Sequence, residues 1–354
     1  MSCVVMVVSS KQVRCHDFDS SVREIQTNVS HWLKSNQVPS VSIALIHDKK
    51  VKWSGAFGEK ALTKSATPET LYNIASLAKP ITAELFLGFA QDNLMHLDEP
   101  LWVHWSDPEI NYDDRQKWLT PRLCLSHQTG FPNWRYEQPD GKLQIKWNPG
   151  MQFGYSGEGY RYAAKAAENK LNVSFDKLAS ERLFKPLGLK RISYIYHSEF
   201  GDDVARPFGP DGTYGSLPKH TAWNAAGDVL STASDYAQFM ITVMENKGLE
   251  HQFSARRYVI DHPGEQNICD TTYQACPIEA ESGYALGWGV LKYQNETIIM
   301  HRGGDWGVRS LAYFIPETGF GLVVLTNGTN GEAVIRDVVS VFHTNDHWFD
   351  NLHQ

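Results

Sequence analysis

Between residues 18 and 40 the chain reads FDSSVREIQTNVSHWLKSNQVPS, and Val22, Ile25, Val29, Trp32 and Leu33 recur at the spacing of one helix face. The pattern predicts an amphipathic helix that Pro39 stops. The next stretch, SVSIALIHDKKVKWSGAFGEKA, alternates in the manner of two strands joined by a polar turn at Asp48 to Lys50. From Leu71 to about Ser282 the signals become helices and short loops rich in Trp, Pro and Gly: TAELFLGFAQDNLM, WLTPRLCLSHQTGFPNW, EGYRYAAKAAENKL and STASDYAQFMITVMEN. In the last of these, Thr232 and Asp235 stand as a helix N-cap and an acidic third residue. Strands return from 284 in YALGWGVLKY, ETIIMHRGG and VRSLAYFIPETGFGLVVLTNG, where PETG marks a hairpin, and a last helix follows in EAVIRDVVSVFHT.

Strands at both ends, each with a flanking helix, and helices between them predict an α+β fold. One antiparallel sheet is built from both chain ends, with the terminal helices on one face and a mainly helical middle on the other. The expected organisation is a tail at 1–17 and a single domain at 18–354, its α/β layer from about 18–70 and 283–345 and its helical layer from about 71–282. Pockets favour such seams, so a site is expected where sheet meets helical layer.

Composition narrows the function classes. The 354 residues are 42% hydrophobic and 12% aromatic, ample for a sizeable core. A net charge of -7 without any basic run gives a nucleic-acid partner no electrostatic support, so a small-molecule or short-peptide substrate is expected. Nothing reaches the ~18 apolar residues of a membrane span. The opening MSCVVMVVSSKQVRC has an apolar run only from Cys3 to Val8, shorter than a signal-peptide core, and a remnant of an export signal, a misplaced start and a frayed tail all fit it. Cys3, Cys15 and Cys124 are isolated, whereas Cys269 and Cys276 in NICDTTYQACP leave both a loop-closing disulfide and free thiols open. No C-x-x-C or H-E-x-x-H spacing occurs despite 14 histidines, so neither a metal nor a cofactor is expected. The oligomeric state is not written in the sequence.

Candidate chemistry begins in NIASLAKPITAEL. If Ser76 opens the helix, Lys79 lies about one turn on and on the same face, within reach of the hydroxyl. A serine hydroxyl is a poor nucleophile until a neighbour takes its proton, and a lysine whose pKa is lowered by burial can do so. Ser is also a common N-cap and Lys a good helix former, so further elements must decide. FGYSGEGYRY supplies Tyr155 on a loop, and TIIMHRGGDWG ends a strand in His301, Arg302, Gly303 and Gly304. GYSGEG is no nucleophile elbow, because Glu158 stands where that turn requires glycine.

Together these elements resemble the penicillin-recognising serine hydrolases, a family that includes class C β-lactamases, D-alanyl-D-alanine carboxypeptidases, D-aminopeptidases and related esterases. NLMHLDEPLWVHW, LCLSHQTGF and NAAGDVLSTASDYAQF resemble further family segments, and the likeness runs from about 20 to 345. It implies Ser76 as the acylated nucleophile, Lys79 as its base or proton relay, and Tyr155 in the same proton network. His301 takes the place of the lysine in the family's K-T-G, Gly303 keeps the strand open to the substrate backbone, and the Ser76 and Gly304 N–H groups form the oxyanion hole. Two departures stand out. The family's second motif is often Tyr-x-Asn, and here Gly157 replaces the asparagine, leaving space for Glu158 or a water. The third motif is His-Arg-Gly, with Arg302 expected on the opposite strand face.

The family context makes His127 a structural residue. Most tryptophans, among them Trp32, Trp53, Trp102 and Trp105, are expected in the core, with Trp134 and Trp306 on pocket loops as candidates for substrate contact. The function implied is hydrolysis of an amide or ester through an acyl-enzyme, in the manner of a carboxypeptidase or esterase. A true β-lactamase and an inactive binding or regulatory protein of the same fold are the alternatives. The family also implies a periplasmic or secreted location.

Overall fold

The computed structural model describes residues 18–260, 281–293 and 296–342. The tail at 1–17 and the Cys269 and Cys276 pair lie outside the described residues. The first helix, α1 (Phe18–Ser35), buries Val22, Ile25, Val29 and Leu33 as the spacing predicts. It ends before Pro39 because Gln37 turns left-handed (φ 55°) and the Val38 N–H returns to the Leu33 carbonyl at 3.0 Å. Strands β1 (Ser40–His47) and β2 (Lys50–Ala61) form the expected hairpin. Its tight turn is closed by Asp48 and Lys49, both at positive φ (51° and 56°), which matches the twist of the paired strands. A short β3 (Lys64–Ser65) extends its edge.

The middle region contains β4 (Tyr72–Asn73), α2 (Ala78–Gln91), α3 (Pro121–Leu125), α4 (Gly157–Leu171), α5 (Phe175–Ala179), β5 (Ile192–Ser193), β6 (Leu230–Ser231), α6 (Ala233–Met244) and α7 (His251–Ser254). It is less helical than the pattern suggests. Between α3 and α4 the chain runs mostly through turns, since Pro132, Pro139 and Pro149 interrupt it together with Gly130, Gly141 and Gly150, all three at positive φ. A small sheet, ordered β4-β6-β5, was not foreseen, because two-residue strands are too short to show alternation. At α6 the Thr232 hydroxyl accepts from the Asp235 N–H at 3.1 Å, as expected of an N-cap. The Asp235 carboxylate instead accepts from the Lys190 and Arg191 N–H groups at 2.8 and 2.5 Å, tying α6 to β5.

The chain then returns through β7 (Glu281–Tyr284), β8 (Gly289–Tyr293), β9 (Glu296–Asp305), β10 (Val308–Ile315), β11 (Phe320–Thr326) and α8 (Gly331–Ser340). The main sheet has eight strands in the order β3-β2-β1-β11-β10-β9-β8-β7. The antiparallel β1–β11 pair, with Ile43 opposite Val324, joins the two chain ends. Both faces are covered. Ile43, Leu45, Leu322 and Val324 pack with Val22, Ile25 and Val29 of α1 and Val334, Ile335 and Val338 of α8. Ala44, Ile46, Val323 and Leu325 face the larger core under α2, α4 and α6. Successive strand residues point to opposite faces, so burial on both sides makes these strands read as continuous apolar runs. Among the described residues no helix is long and apolar enough to cross a membrane.

Helix α2, which directly follows the turn of the candidate nucleophile, is anchored by a buried ion pair. Arg257 donates to Glu84 Oε2 at 2.7 Å and pairs with Oε1 through Nε, and it also donates to the Val243 carbonyl and Asn246 Oδ1 at 3.2 and 2.7 Å. Their side chains are 1% and 6% exposed, so removing one partner strands the other charge in the core. Glu84→Ala is therefore expected to destabilise the fold by about 3–5 kcal/mol, read from urea denaturation. A loss under about 1 kcal/mol would show that Arg257 finds another partner or water.

Candidate active site

Ser76 occupies a 3-10 turn, Ala75–Leu77, directly before α2. Three contacts hold that turn. The Ile74 N–H donates to the Val229 carbonyl at 2.9 Å, Asn73 Oδ1 accepts from the Ala75 N–H at 2.8 Å, and Ser310 Oγ donates to the Ile74 carbonyl at 2.8 Å. Ala75 is held at φ 48°, a left-handed conformation costly for any residue with a Cβ. The unforeseen small sheet and strand β10 together fix the serine.

Lys79 follows one turn later and is fully buried. Its Nζ lies 2.9 Å from Ser76 Oγ and 2.9 Å from the Ala226 carbonyl. Burial pushes its pKa down to about 7, so near neutral pH a large fraction of the amine is uncharged. The amine stands 4.6 Å from the centroid of the Tyr155 ring and 5.7 Å from that of Tyr160. The Tyr155 phenol is raised by burial, against the opposing pull of its hydrogen bond to Ser76. Ser76, Lys79 and Tyr155 are thus brought into contact, as the spacing and the family likeness imply.

His127 secures Tyr155 from both sides. Its carbonyl accepts from the Gly154 N–H at 2.8 Å and its Nδ1 accepts from the Ser156 N–H at 3.0 Å. The ring is 0% exposed and packs on Tyr155, Tyr160 and Tyr284 at centroid distances of 4.2, 5.2 and 4.6 Å. Burial, then the nearby Lys79, hold it well below the usual histidine range.

The third element comes from β9. Its pairing with β8 stops at Met300, and from His301 to Asp305 only the β10 side is paired. The open edge runs beside the Ser76 turn. Gly303 is required there, because a Cβ would stand 2.2 Å from Ser310 Oγ and 2.5 Å from the Ile74 carbonyl oxygen. The space opposite Gly303 is therefore filled by the nucleophile's own turn. Gly304 faces the other way, and a Cβ there would meet only Arg309 at an ordinary 3.7 Å.

His301 Nδ1–H donates to the Arg302 carbonyl at 2.7 Å, which leaves Nε2 as the acceptor of the Tyr284 hydroxyl at 2.8 Å. Burial, with Lys79 adding to it, lowers its pKa to about 3. The imidazole is neutral, with both nitrogens engaged by the protein. Tyr284 was missed in the sequence, where it reads only as one apolar position of a strand. Arg302 lies on the α8 side of the strand, as alternation predicts, and pairs with Glu332 at the start of α8, where both also border the cavity.

Gly157 begins α4, and the space beside it belongs to neither Glu158 nor a built-in polar group. A Cβ at 157 would stand 2.4 Å from Cη2 of Trp134, whose indole fills the position. Glu158 points inward to Arg135 at 2.9 Å and is 1% exposed. Trp134 lines the site as expected. Trp306 does not: it lies against Gly209 and Gly215, where added Cβ atoms would meet it at 2.5 and 2.6 Å.

These groups surround one cavity of about 700 Å³, bounded by Ser76, Tyr155 and His301 inside and by Arg161, Asp228 and Asp305 among its charged residues. Among the described residues no group of three or more His, Cys, Asp or Glu is placed to hold a metal ion. Residues 25–343 match the family described as Beta-lactamase. The chain belongs to the beta-lactamase family.

The proteins that the chain resembles are distant in sequence. The chain is 22% identical over 335 residues to Protein flp of Staphylococcus aureus strain MRSA252, covering 89% of this chain and 64% of that protein. It is 25% identical over 236 residues to a D-aminopeptidase of Brucella anthropi, covering 61% of this chain and 44% of that protein. The chain thus spans less than two thirds of these relatives' length. In fold it resembles the octameric penicillin-binding protein homologue from Pyrococcus abyssi, with a TM-score of 0.76, 19% identity and coverage of 92% and 78% of the two chains. It also resembles the D-alanine carboxypeptidase AmpC from Burkholderia cenocepacia, with a TM-score of 0.73, 18% identity and coverage of 92% and 98%. The sheet built from both chain ends and the beta-lactamase/transpeptidase-like fold that the family likeness implies are the ones observed.

If His127 holds the Tyr155 segment through Nδ1, His127→Leu leaves the buried Ser156 N–H unpaired and is expected to cost about 1–3 kcal/mol. His127→Asn, whose Oδ1 can accept in place of Nδ1 and which tolerates a φ of 60°, is expected to lose clearly less. Equal losses in chemical denaturation would mean that ring packing, not the hydrogen bond, matters.

Proposed function

We propose that the protein is a serine hydrolase that cleaves an ester or amide through a Ser76 acyl-enzyme, of the carboxypeptidase or esterase type rather than a true β-lactamase. One observation carries the reading: a fully buried lysine with its pKa lowered to about 7 sits 2.9 Å from Ser76 Oγ in the cavity wall. Neutral Lys79 takes the Ser76 proton as Oγ attacks the substrate carbonyl. The backbone N–H groups of Ser76 and Gly304 receive the oxyanion, which is typically worth a few kcal/mol per donor. Tyr155 shares the proton network and returns a proton to the leaving group; a water then releases the acid by the reverse transfers. The free edge of β9 from His301 to Asp305 lies along the cavity and suits an extended substrate backbone.

Substrate class follows from the departures. A neutral His301 offers no cation to a β-lactam carboxylate, and Gly157 offers no amide to its acyl group. Short acyl esters and D-alanyl amides should therefore be turned over better than β-lactams. The D-aminopeptidase and D-alanine carboxypeptidase among the related proteins support including D-residues in the test.

Ser76→Ala is expected to abolish turnover of a p-nitrophenyl ester with unchanged circular dichroism; retained activity would place the nucleophile elsewhere, and an inert parent enzyme would favour a binding protein of this fold. Lys79→Ala and Tyr155→Phe should each cost at least ~100-fold, and the double variant much less than their product. Comparison of kcat/KM for nitrocefin, a p-nitrophenyl ester and D-alanyl p-nitroanilide should leave nitrocefin last.

The base must be uncharged, so kcat/KM for the ester should rise with pH through about 7 and then level, following deprotonation of Lys79. A rate independent of pH from 5.5 to 8.5 (about three units spanning that midpoint) would remove Lys79 from the base role.

A further inference from the structure

We infer that Trp134 converts the acyl-facing wall of the cavity into a flat apolar plate, so that the site selects planar aromatic acyl groups over acyl groups carrying an amide N–H. The inference rests on the acyl-enzyme reading above and deepens it. Trp134 occupies the place of the residue 157 side chain: its six-membered ring would meet a Cβ there at 2.4 to 2.7 Å through Cη2, Cζ2 and Cζ3. The indole is half-buried, lines the cavity that holds Ser76, and is stacked by Tyr136 at a centroid distance of 6.0 Å with 10° between the rings.

The plate is fixed. On one side of Trp134, Asn133 Oδ1 accepts from the Gly157 N–H at 3.0 Å and its carbonyl accepts from the Glu158 N–H at 3.1 Å. On the other side, Arg135 donates to Glu158 Oε2 at 2.9 Å, Asp107 Oδ2 at 2.8 Å and Glu109 Oε2 at 3.0 Å. The indole-bearing loop is bolted to the start of α4 on both flanks, so the backbone that carries the ring is held by charged hydrogen bonds in a largely buried cluster.

The chemistry of selection follows from what the wall can pair. An aromatic acyl group laid on the indole gains apolar burial and ring stacking. An acyl N–H laid there loses its water and meets the ring carbons of Trp134 where a side chain at 157 would stand.

The test uses two stable amides that differ only in the acyl group, phenylacetanilide and N-acetylglycine anilide, titrated calorimetrically against Ser76→Ala protein. The aromatic acyl compound should bind at least tenfold tighter, and Trp134→Ala in that background should erase most of the difference. Gly157→Ala, which keeps the loop but drives the ring off its seat, should narrow it as well, and it stands in if Trp134→Ala does not fold. Equal affinities, or a preference untouched by both substitutions, would overturn the inference. Failure of the catalytic reading is seen separately, as ester hydrolysis that survives in Ser76→Ala, and the binding comparison remains decisive in that case.

Discussion

The burial of one amine sets the terms for the rest of the molecule. Lys79 is fully enclosed, and desolvation alone brings its pKa from 10.5 to about 7. In the unfolded chain the same amine holds its proton up to 10.5, so between about 7 and 10.5 unfolding takes up a proton and stability rises with pH. Below about 7 the folded state carries the full penalty, on the order of 5 kcal/mol. The Ser76 hydroxyl, the Ala226 carbonyl and the faces of Tyr155 and Tyr160 offset part of it; no carboxylate contributes to the shift. A carboxylate at that position would restore the charge and leave Ser76 without a base. The stability that tolerates this comes from elsewhere, chiefly a sheet buried on both faces and the Glu84–Arg257 pair that secures α2.

Positioning the serine requires three segments distant in sequence to meet within a few ångströms. Ser310 on β10 accepts no side chain at 303 as a neighbour and itself donates to Ile74, while β6 pairs with β4 just before the nucleophile turn. The strained φ of Ala75 is held by this convergence, since Asn73, Val229 and Ser310 each fix one peptide group around it. The two-sided sheet makes the convergence possible. Its central β1–β11 pair binds the chain ends, and β9 and β10 then present their loops to the helical layer.

Legibility in the sequence tracks the range of the interactions involved. The α1 face, the β1–β2 hairpin with its turn at Asp48, and the Ser76–Lys79 spacing are local patterns and could be read directly. Both-end assembly of the sheet followed from where apolar runs lay. The β4-β6-β5 sheet could not be read, because each strand is shorter than one alternation. Nor could the partner of Gly157: Trp134 lies 23 positions away (157 minus 134), and nothing in EGYRY says that an indole is what the missing side chain makes room for. Tyr284 and His301 likewise meet only because β7 and β8 fold back along β9. A glycine on its own signals room, and the structure is needed to say who takes it.

The two departures from the family pattern share a physical logic. At 157 a polar side chain is replaced by the face of Trp134, and at 301 a lysine-type cation is replaced by an imidazole whose nitrogens are closed off by Tyr284 and a carbonyl. Each change removes from the inner cavity a group that could bind substrate charge or hydrogen bonds, and each sets an aromatic ring in its place. Charged side chains elsewhere still line the cavity, among them Arg161, Asp228, Asp305 and Arg309. The interior is left with a single reactive polar set of Ser76, Lys79 and Tyr155 inside aromatic walls. Such an interior also leaves the base to burial alone: a permanent cation at 301 would depress Lys79 further and a carboxylate would raise it, whereas beside a neutral ring desolvation by itself brings the amine near neutrality.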